Sequence, residues 1–251
     1  MLRNAKWFIG GGLVYSSVAF GTYIYVKKTK KEDDVNKDVA KTSITAKERL
    51  QLYETQANDY DKAVSTDELF MGVPLLRRFL MRHAAGRVLE VSAGTCRNLK
   101  YYPKECTVIA VDASEAMLEE GRTKSTQVAN VHFGIMSSEN INFPDDSFDT
   151  VVQTFGLCSV DDPVKVLKEM QRVCKPTGRI LLLERGQSSY DGIAKILNTI
   201  VQEDSKKWGC YSNRDIDTLV KQAGMDIFSH HTWHFGTTHY MIAGGSPSTK
   251  E

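Results

Sequence analysis

One short segment constrains this chain more than any other. Arg87-Val88-Leu89-Glu90-Val91 runs into the small-residue turn Ser92-Ala93-Gly94-Thr95-Cys96, and then into Arg97-Asn98-Leu99. Val88 to Val91 predicts a buried strand with an acid near its end, and the polar stretch from Arg97 to Tyr102 predicts a helix that Pro103 stops. A strand, a tight glycine turn and a helix N-terminus collect free backbone N–H groups and a positive dipole end at one point. Asp112 closes the next apolar run, Thr107–Val111, 22 residues after Glu90. An acid at the end of an adjacent parallel strand is placed to accept hydrogen bonds from a ribose diol. The two acids predict a nucleoside-binding crevice, although a lone turn glycine also closes many ordinary turns.

The remaining pattern alternates strands with helices. From Thr45, the positions Leu50, Tyr53, Ala57 and Tyr60 have helical spacing, and a second helix is expected from Pro74 to His83. Ser114 is a cap for the helix holding Ala116-Met117-Leu118, and Val128 to Ile135 is the third strand. The β-branched run Phe148–Phe155 is the fourth. Asp162-Pro163 starts a helix with Val164, Leu167, Met170 and Val173 at core spacing. Arg179–Glu184 is the fifth strand, followed by a helix from about Tyr190 to Lys206. Ser212-x-x-Asp215 is a capping box for a helix ending at Gly224, and strands near Ile227–Trp233 and Thr238–Ala243 complete the pattern. No internal repeat is evident. The expectation is an α/β, Rossmann-like sheet of seven mostly parallel strands with helices on both faces. Its ligand should lie beyond the carboxyl ends of strands one and four.

Charge divides the chain unevenly. Residues 1–31 hold six basic side chains and no acid, leaving 26 basic and 31 acidic residues in the remainder, a net −5. A mildly acidic body argues against a nucleic-acid partner, because phosphate binding needs a basic face. The five cysteines make no CxxC pair and read as reduced. Trp7 to Val26 is 20 residues without a charge, about 30 Å as a helix and so the thickness of a bilayer core. Trp7, Tyr23 and Tyr25 stand at its ends and Lys27-Lys28-Thr29-Lys30-Lys31 stops it. The segment is too long for a signal h-region and lacks a small-residue cleavage site before the lysines, so a single transmembrane helix is expected, with membrane lipid as its partner. Acid-free basic ends also suit mitochondrial import. Residues 1–31 are thus read as anchor, 32–44 as linker and 45–251 as the catalytic domain.

The Glu90–Cys96 stretch resembles motif I of the class I S-adenosylmethionine (SAM) methyltransferases, Glu/Asp-x-Gly-x-Gly-x-Gly, with one glycine of three kept. Four further stretches resemble the same family in order and spacing: Asp112, Asn140–Asp149, Arg172–Arg179 and Leu183–Gly186. Tyr53-x-x-x-Ala57-x-x-Tyr60-Asp61 resembles the helix over the SAM pocket of ubiquinone-biosynthesis-type relatives; its spacing alone reads as an ordinary amphipathic helix. Asn98–Pro103, Leu157-Cys158-Ser159-Val160 and Trp208-x-Cys210 resemble the membrane-anchored methyltransferase-like proteins, which include animal thiol methyltransferases and fungal mitochondrial inner-membrane relatives. His234–Tyr240 resembles the fungal side, which implies the mitochondrial inner membrane, with the endoplasmic reticulum as the alternative.

That resemblance implies SAM as cofactor and a role for each matching residue. Glu90, Ser92, Ala93 and Gly94 would line its methionine end, and Asp112 would take the ribose hydroxyls. Ala113 and Met117 would flank the adenine, with Ser138 and Glu139 at its edge, where many relatives have Asp-Ala. Thr154, Phe155 and Gly156 would face the methyl-transfer crevice, and Asp149 would be structural. Methyl transfer from a sulfonium needs alignment above all, and a thiolate acceptor needs no dedicated base. Cys158 and His239 are the catalytic candidates, Cys158 against the reading of a small buried residue and His239 placed in a turn. His230, His231 and His234 alternate in facing, so no metal site is expected. The function implied is a membrane-anchored methyltransferase acting on a small-molecule or thiol substrate. The alternative is an assembly or scaffold factor for membrane-complex partners that binds SAM weakly or not at all. An NAD-binding fold fits poorly, because the glycine fingerprint is incomplete.

Overall fold

The computed structural model describes residues 44–125 and 130–245. The expected anchor at 7–26, the linker up to residue 43 and the beginning of the predicted third strand at Val128 lie outside these residues. Among the described residues no helix is long and apolar enough to cross a membrane.

Seven strands form one sheet in the order β3-β2-β1-β4-β5-β7-β6. They are β1 (Arg87–Val91), β2 (Thr107–Asp112), β3 (Val131–Ile135), β4 (Phe148–Thr154), β5 (Cys174–Arg185), β6 (Ile227–Trp233) and β7 (Thr238–Gly244). β1 pairs in parallel with both β2 and β4, through Leu89↔Ile109 and Leu89↔Val151. β7 alone runs antiparallel, between β5 and β6. The chain passes from β1 out to β2 and β3, then returns to place β4 on the other side of β1. That reversal opens a crevice at the carboxyl ends of β1 and β4, where α/β folds bind ligands.

The strands are apolar on both faces because helices cover both. One face packs Leu89, Val91, Val151, Ile180, Leu182 and Met241 against α4 (Pro163–Val173) and α6 (Ile216–Gln222), through Leu167, Met170, Ile216 and Val220. The other packs Val88, Val108, Ala110, Val152, Leu181 and Leu183 against α2 (Val73–Met81), through Leu76 and Leu80. Burying each such leucine contributes about 1.5–3 kcal/mol. α3 (Glu115–Arg122) starts at Ser114, whose hydroxyl accepts from the Met117 N–H at 3.2 Å. α4 starts at Asp162, which accepts from Lys165 N–H at 2.9 Å with Pro163 next in line. α5 spans Asp191–Trp208.

Two local expectations are corrected. The Arg97–Tyr102 helix is instead a series of turns with one 3-10 turn, Leu99–Tyr101. The Arg97 and Asn98 side chains are drawn into polar contacts that fix this irregular path. The proposed capping box is also absent. Asp215 caps α6, accepting from Thr218 N–H at 3.0 Å, while the Ser212 hydroxyl donates to Asp204.

Candidate functional site

The loop after β1 is built from left-handed residues at alternate positions: Ser92 (φ 50°), Gly94 (φ 54°) and Cys96 (φ 57°). A non-glycine residue in this region costs about 1–2 kcal/mol. The neighbouring elements leave room for the two side chains that motif I usually lacks. A Cβ on Gly121 of α3 would come within 2.5 Å of Cys96 Sγ, and a Cβ on Gly156 within 2.9 Å of the Ser92 Cβ. The Ser92 hydroxyl accepts from Gln153 Nε2 at 3.2 Å.

Asp112, at the end of β2, holds this loop in place. Its two carboxylate oxygens accept the Gly94 N–H at 2.8 Å and the Ser114 N–H at 2.9 Å. Burial pushes its carboxyl up, opposed by these same N–H groups. Beside it opens a cavity of about 280 Å³. Its wall carries ten of the residues expected from the sequence: Ser92, Ala93, Gly94, Asp112, Ala113, Met117, Ser138, Glu139, Thr154 and Phe155. The Glu139 carboxylate is also engaged across the cavity floor, accepting from Asp161 N–H at 2.7 Å and Asp162 N–H at 2.9 Å.

Glu90 is a correction. It does not line the cavity but lies buried behind it, accepting from Asn98 Nδ2 and the Tyr102 hydroxyl, both at 2.8 Å. Burial raises its carboxyl above the ordinary range against those two donors. Asn98 passes the connection forward, donating to Thr154 Oγ1 at 2.9 Å and accepting from Arg77 Nη1 at 2.9 Å. Glu90 therefore positions the cavity wall from behind.

α1 (Ala46–Phe70) roofs the cavity. It opens on a reciprocal cap between Thr45 and Glu48. Its Leu50, Tyr53, Tyr60 and Glu68 face the cavity, so it is no ordinary core helix; only Arg49 and Ala57 of the helix are buried. Tyr53 donates to the Trp208 carbonyl at 2.8 Å, and Arg49 pairs with Asp161 at 2.9 Å. Burial pushes the Tyr60 hydroxyl up to about 12, so it remains protonated. The far half of α1 is clamped by charge. Asp61 accepts from Thr95 Oγ1 at 2.6 Å and Arg97 at 2.9 Å, and also from Lys124. Glu68 bridges Arg77 at 2.8 Å and Arg97 at 2.9 Å. Glu68, Arg77 and Arg97 escaped the sequence reading. The available signal was Arg77, a charge on the core-facing side of α2 beside Leu76 and Leu80.

Neither catalytic candidate lines the cavity. Cys158 is buried behind it, its thiol 3.4 Å from Ser159 Oγ. The neighbouring Cys210 thiol favours its thiolate and draws its pKa down against burial, while the Cys210 pKa rises. His239 lies in β7 rather than in a turn, and is buried on the α6 side of the sheet. Its Nδ1 is 3.2 Å from His230 Nε2, with Asp217 Oδ1 3.5 Å from His230 Nδ1. These three converge although the facing pattern gave no sign of it, because His239 comes from the adjacent strand, diagonal to His230. Burial lowers the His239 pKa, with Asp217 opposing. Asp149 is structural, accepting from Arg87 N–H at 2.8 Å and pairing with Lys175 at 2.6 Å.

A parallel sheet with one reversed strand, and an acid-edged cavity at its switch point, define a nucleoside-binding α/β fold. Residues 89–182 match the model of a methyltransferase domain. The ubiquinone/menaquinone biosynthesis C-methyltransferase UbiE of Haemophilus ducreyi is 31% identical over 177 residues, covering 63% of this chain and 68% of the relative. The chain belongs to the class I SAM-dependent methyltransferases. Its similarity to the mitochondrial methyltransferase OMS1 of Saccharomyces cerevisiae is more extensive, at 34% identity over 220 residues and 80% of this chain. The chain spans about half of that relative's length, 47%. A SAM-dependent methyltransferase from Leishmania major shares the fold, with a TM-score of 0.60, 18% identity and coverage of 78% and 82% of the two chains.

Proposed function

We propose that the chain is a membrane-anchored methyltransferase of the mitochondrial inner membrane that transfers the SAM methyl group to a small thiol. The observation that carries this reading is the cavity under α1, where Asp112 and the Ser92–Gly94 loop meet the Thr154–Gly156 wall and no histidine is among the described lining residues. Asp112 would hold the ribose hydroxyls, Ala113 and Met117 the adenine, and Ser92 to Gly94 the methionine end. Bound SAM supplies a methyl group on an activated sulfonium, open to in-line displacement. The chain's own contribution is then alignment and exclusion of water, with α1 as the cover.

The carboxylates in the wall that could serve an oxygen or nitrogen acceptor as base already have partners, Asp161 among them through Arg49. Glu68 is bound by two arginines, and Asp112 and Glu139 accept backbone N–H groups. A thiol, with an ordinary pKa of about 8.5, ionises without help. Mitochondrial placement is supported by the relative named as mitochondrial and by the acid-free basic N-terminus; the anchor is supported by the uncharged run 7–26. A second reading, a scaffold with vestigial SAM binding, draws on the two non-glycine residues in left-handed backbone at Ser92 and Cys96. Methyl transfer to a panel of thiols, phenols, amines and quinol-type carbon acceptors, read by mass spectrometry, tests the proposal. Methylated thiol is the expected product. Turnover confined to another class overturns the acceptor, and SAM binding without turnover on any acceptor favours the scaffold.

A further inference from the structure

The exposed apolar side chains are not spread evenly over the molecule. Of the nine large hydrophobic residues exposed among the described residues, six lie at one corner: Leu69, Phe70, Leu75, Phe79, Tyr190 and Phe235. Leu69 and Phe70 end α1 at 71% and 66% exposure. Leu75 and Phe79 lie on the outer side of α2, one turn apart, while Leu76 and Leu80 bury its inner side. The turn between β6 and β7 joins this corner, because His234 Nε2 donates to the Met71 carbonyl at 2.9 Å. Beside it Phe235, held at φ 58°, meets Tyr190 edge to face at 5.8 Å. A concentrated apolar patch of this kind marks an interaction surface.

The charges around the patch select its partner. Residues 69–87 contain no acid. Arg77 is consumed inside by Glu68, but Arg78 and Arg82 are exposed on the outer side of α2, and the Arg82 guanidinium sits 5.3 Å from the centre of the Phe79 ring. The outer side thus reads Leu75, Arg78, Phe79, Arg82 at spacings of three, one and three, apolar and cationic together. Helices of that composition lie in the headgroup region of anionic bilayers. The geometry of the chain permits the contact. Between Val26 and Ile44 lie 17 residues, which span at most about 56 Å extended, and α1 is about 37 Å long. A domain tethered by an anchor at 7–26 can therefore rest its far corner on the same membrane.

We infer that the α1–α2 corner, with Leu69, Phe70, Leu75 and Phe79 inserted and Arg78 and Arg82 on headgroup phosphates, docks the domain flat on an anionic bilayer. This rests on the anchored reading above. Glu68, Arg77 and the cavity they line stand directly behind this corner. Docking turns that wall toward the lipid, so an acceptor dissolved in the membrane has a short path to the site.

The test uses the full chain in vesicles of phosphatidylcholine with or without phosphatidylglycerol, each prepared with and without brominated acyl chains. In a chain whose Trp7, Trp208 and Trp233 are replaced by phenylalanine, Phe79→Trp reports on the corner, and Phe228→Trp, on the edge strand β6, is the control. The expected result is bromine quenching of the tryptophan added at position 79, stronger with phosphatidylglycerol, and none at position 228. Adding Arg78→Glu with Arg82→Glu should lower the docked population severalfold on anionic vesicles. An unquenched tryptophan at 79 in a chain that resists carbonate extraction overturns the docking and leaves the anchor standing. Blue-shifted but unquenched emission assigns the patch to protein, a second copy or residues 1–43, and also overturns it. A chain released by carbonate that still shows quenching at 79 removes the anchor and keeps the surface.

Discussion

At the scale of single residues, the loop after β1 shows how a motif can lose glycines without losing its path. Ser92 and Cys96 keep the left-handed backbone that glycine would adopt freely, and Gly156 and Gly121 open space opposite them. Compensation of this kind is testable as coupling. Gly121→Ala should destabilise the chain by about 1–3 kcal/mol through overpacking against Cys96. In a Cys96→Gly background most of that penalty should vanish, which urea denaturation of the four variants of the cycle would measure. Additive penalties would show that the two positions are independent. Asp112→Asn should weaken SAM binding about ten- to hundredfold, the equivalent of about 1.5–3 kcal/mol for a charge-assisted hydrogen bond. The amide retains one acceptor for the loop N–H groups, so the unfolding transition should persist. Unchanged affinity would refute the ribose role.

At the scale of elements, the roof α1 is held by ion pairs, and this makes its closure sensitive to acid. Burial raises the Asp61 carboxyl, but Lys124, Thr95 and Arg97 outweigh it and the net displacement is downward from 3.8. Burial likewise raises Glu68, which Arg77 and Arg97 overcome to bring it below 4.5. A depressed carboxyl adds stability that is complete above its unfolded pKa and lost as pH falls through the folded one. Amide exchange along α1, measured against the sheet, should therefore be flat from neutrality down to the ordinary carboxylate range and accelerate below it. Loosening of α1 between pH 8 and 6 instead would assign the clamp to other groups. Glu68→Ala strips a shared partner from Arg77 and Arg97, and should cost about 3 kcal/mol, the low end for a broken buried pair, while weakening SAM binding. These elements also show what a sequence exposes. The parallel strands are legible because burial on both faces leaves continuous apolar runs such as Val108–Val111 and Ile180–Leu183. The caps at Ser114 and Asp162 were legible because capping is local chemistry. The role of α1 was not, since spacing tells which side of a helix is apolar and not whether a cavity or a core lies beneath. The turn that replaced the predicted Arg97–Tyr102 helix was hidden for a related reason. It is fixed by Asp61, Glu68 and Glu90, which arrive from 8 to 36 residues away.

At the scale of the molecule, the proposed function joins a SAM site in the cavity at the switch point of the sheet to an uncharged N-terminal run and an apolar corner. Ten of eleven expected cofactor residues share one cavity because motif I and Asp112 end neighbouring strands, a consequence of β1–β2 pairing. Glu90 lies outside although it faces the same side of the sheet as Asp112 and Thr154: it sits level with Ala110 and Val152, two residues short of those strand ends, and Asn98 and Tyr102 cover it. If residues 7–26 span the bilayer, alkaline carbonate should leave the chain in the membrane pellet. Recovery in the supernatant would remove the anchor, and a mature N-terminus lacking residues 1–31 would identify the run as a processed signal. The central claim is that the cavity under α1 binds SAM despite the altered motif, and calorimetric titration of the detergent-solubilised full chain with SAM tests it most directly. The account predicts saturable binding to a single site, weakened about ten- to hundredfold by Asp112→Asn and unchanged or strengthened by Ser92→Gly with Cys96→Gly. No binding by the original chain at millimolar SAM, with binding gained in the double-glycine variant, would contradict it.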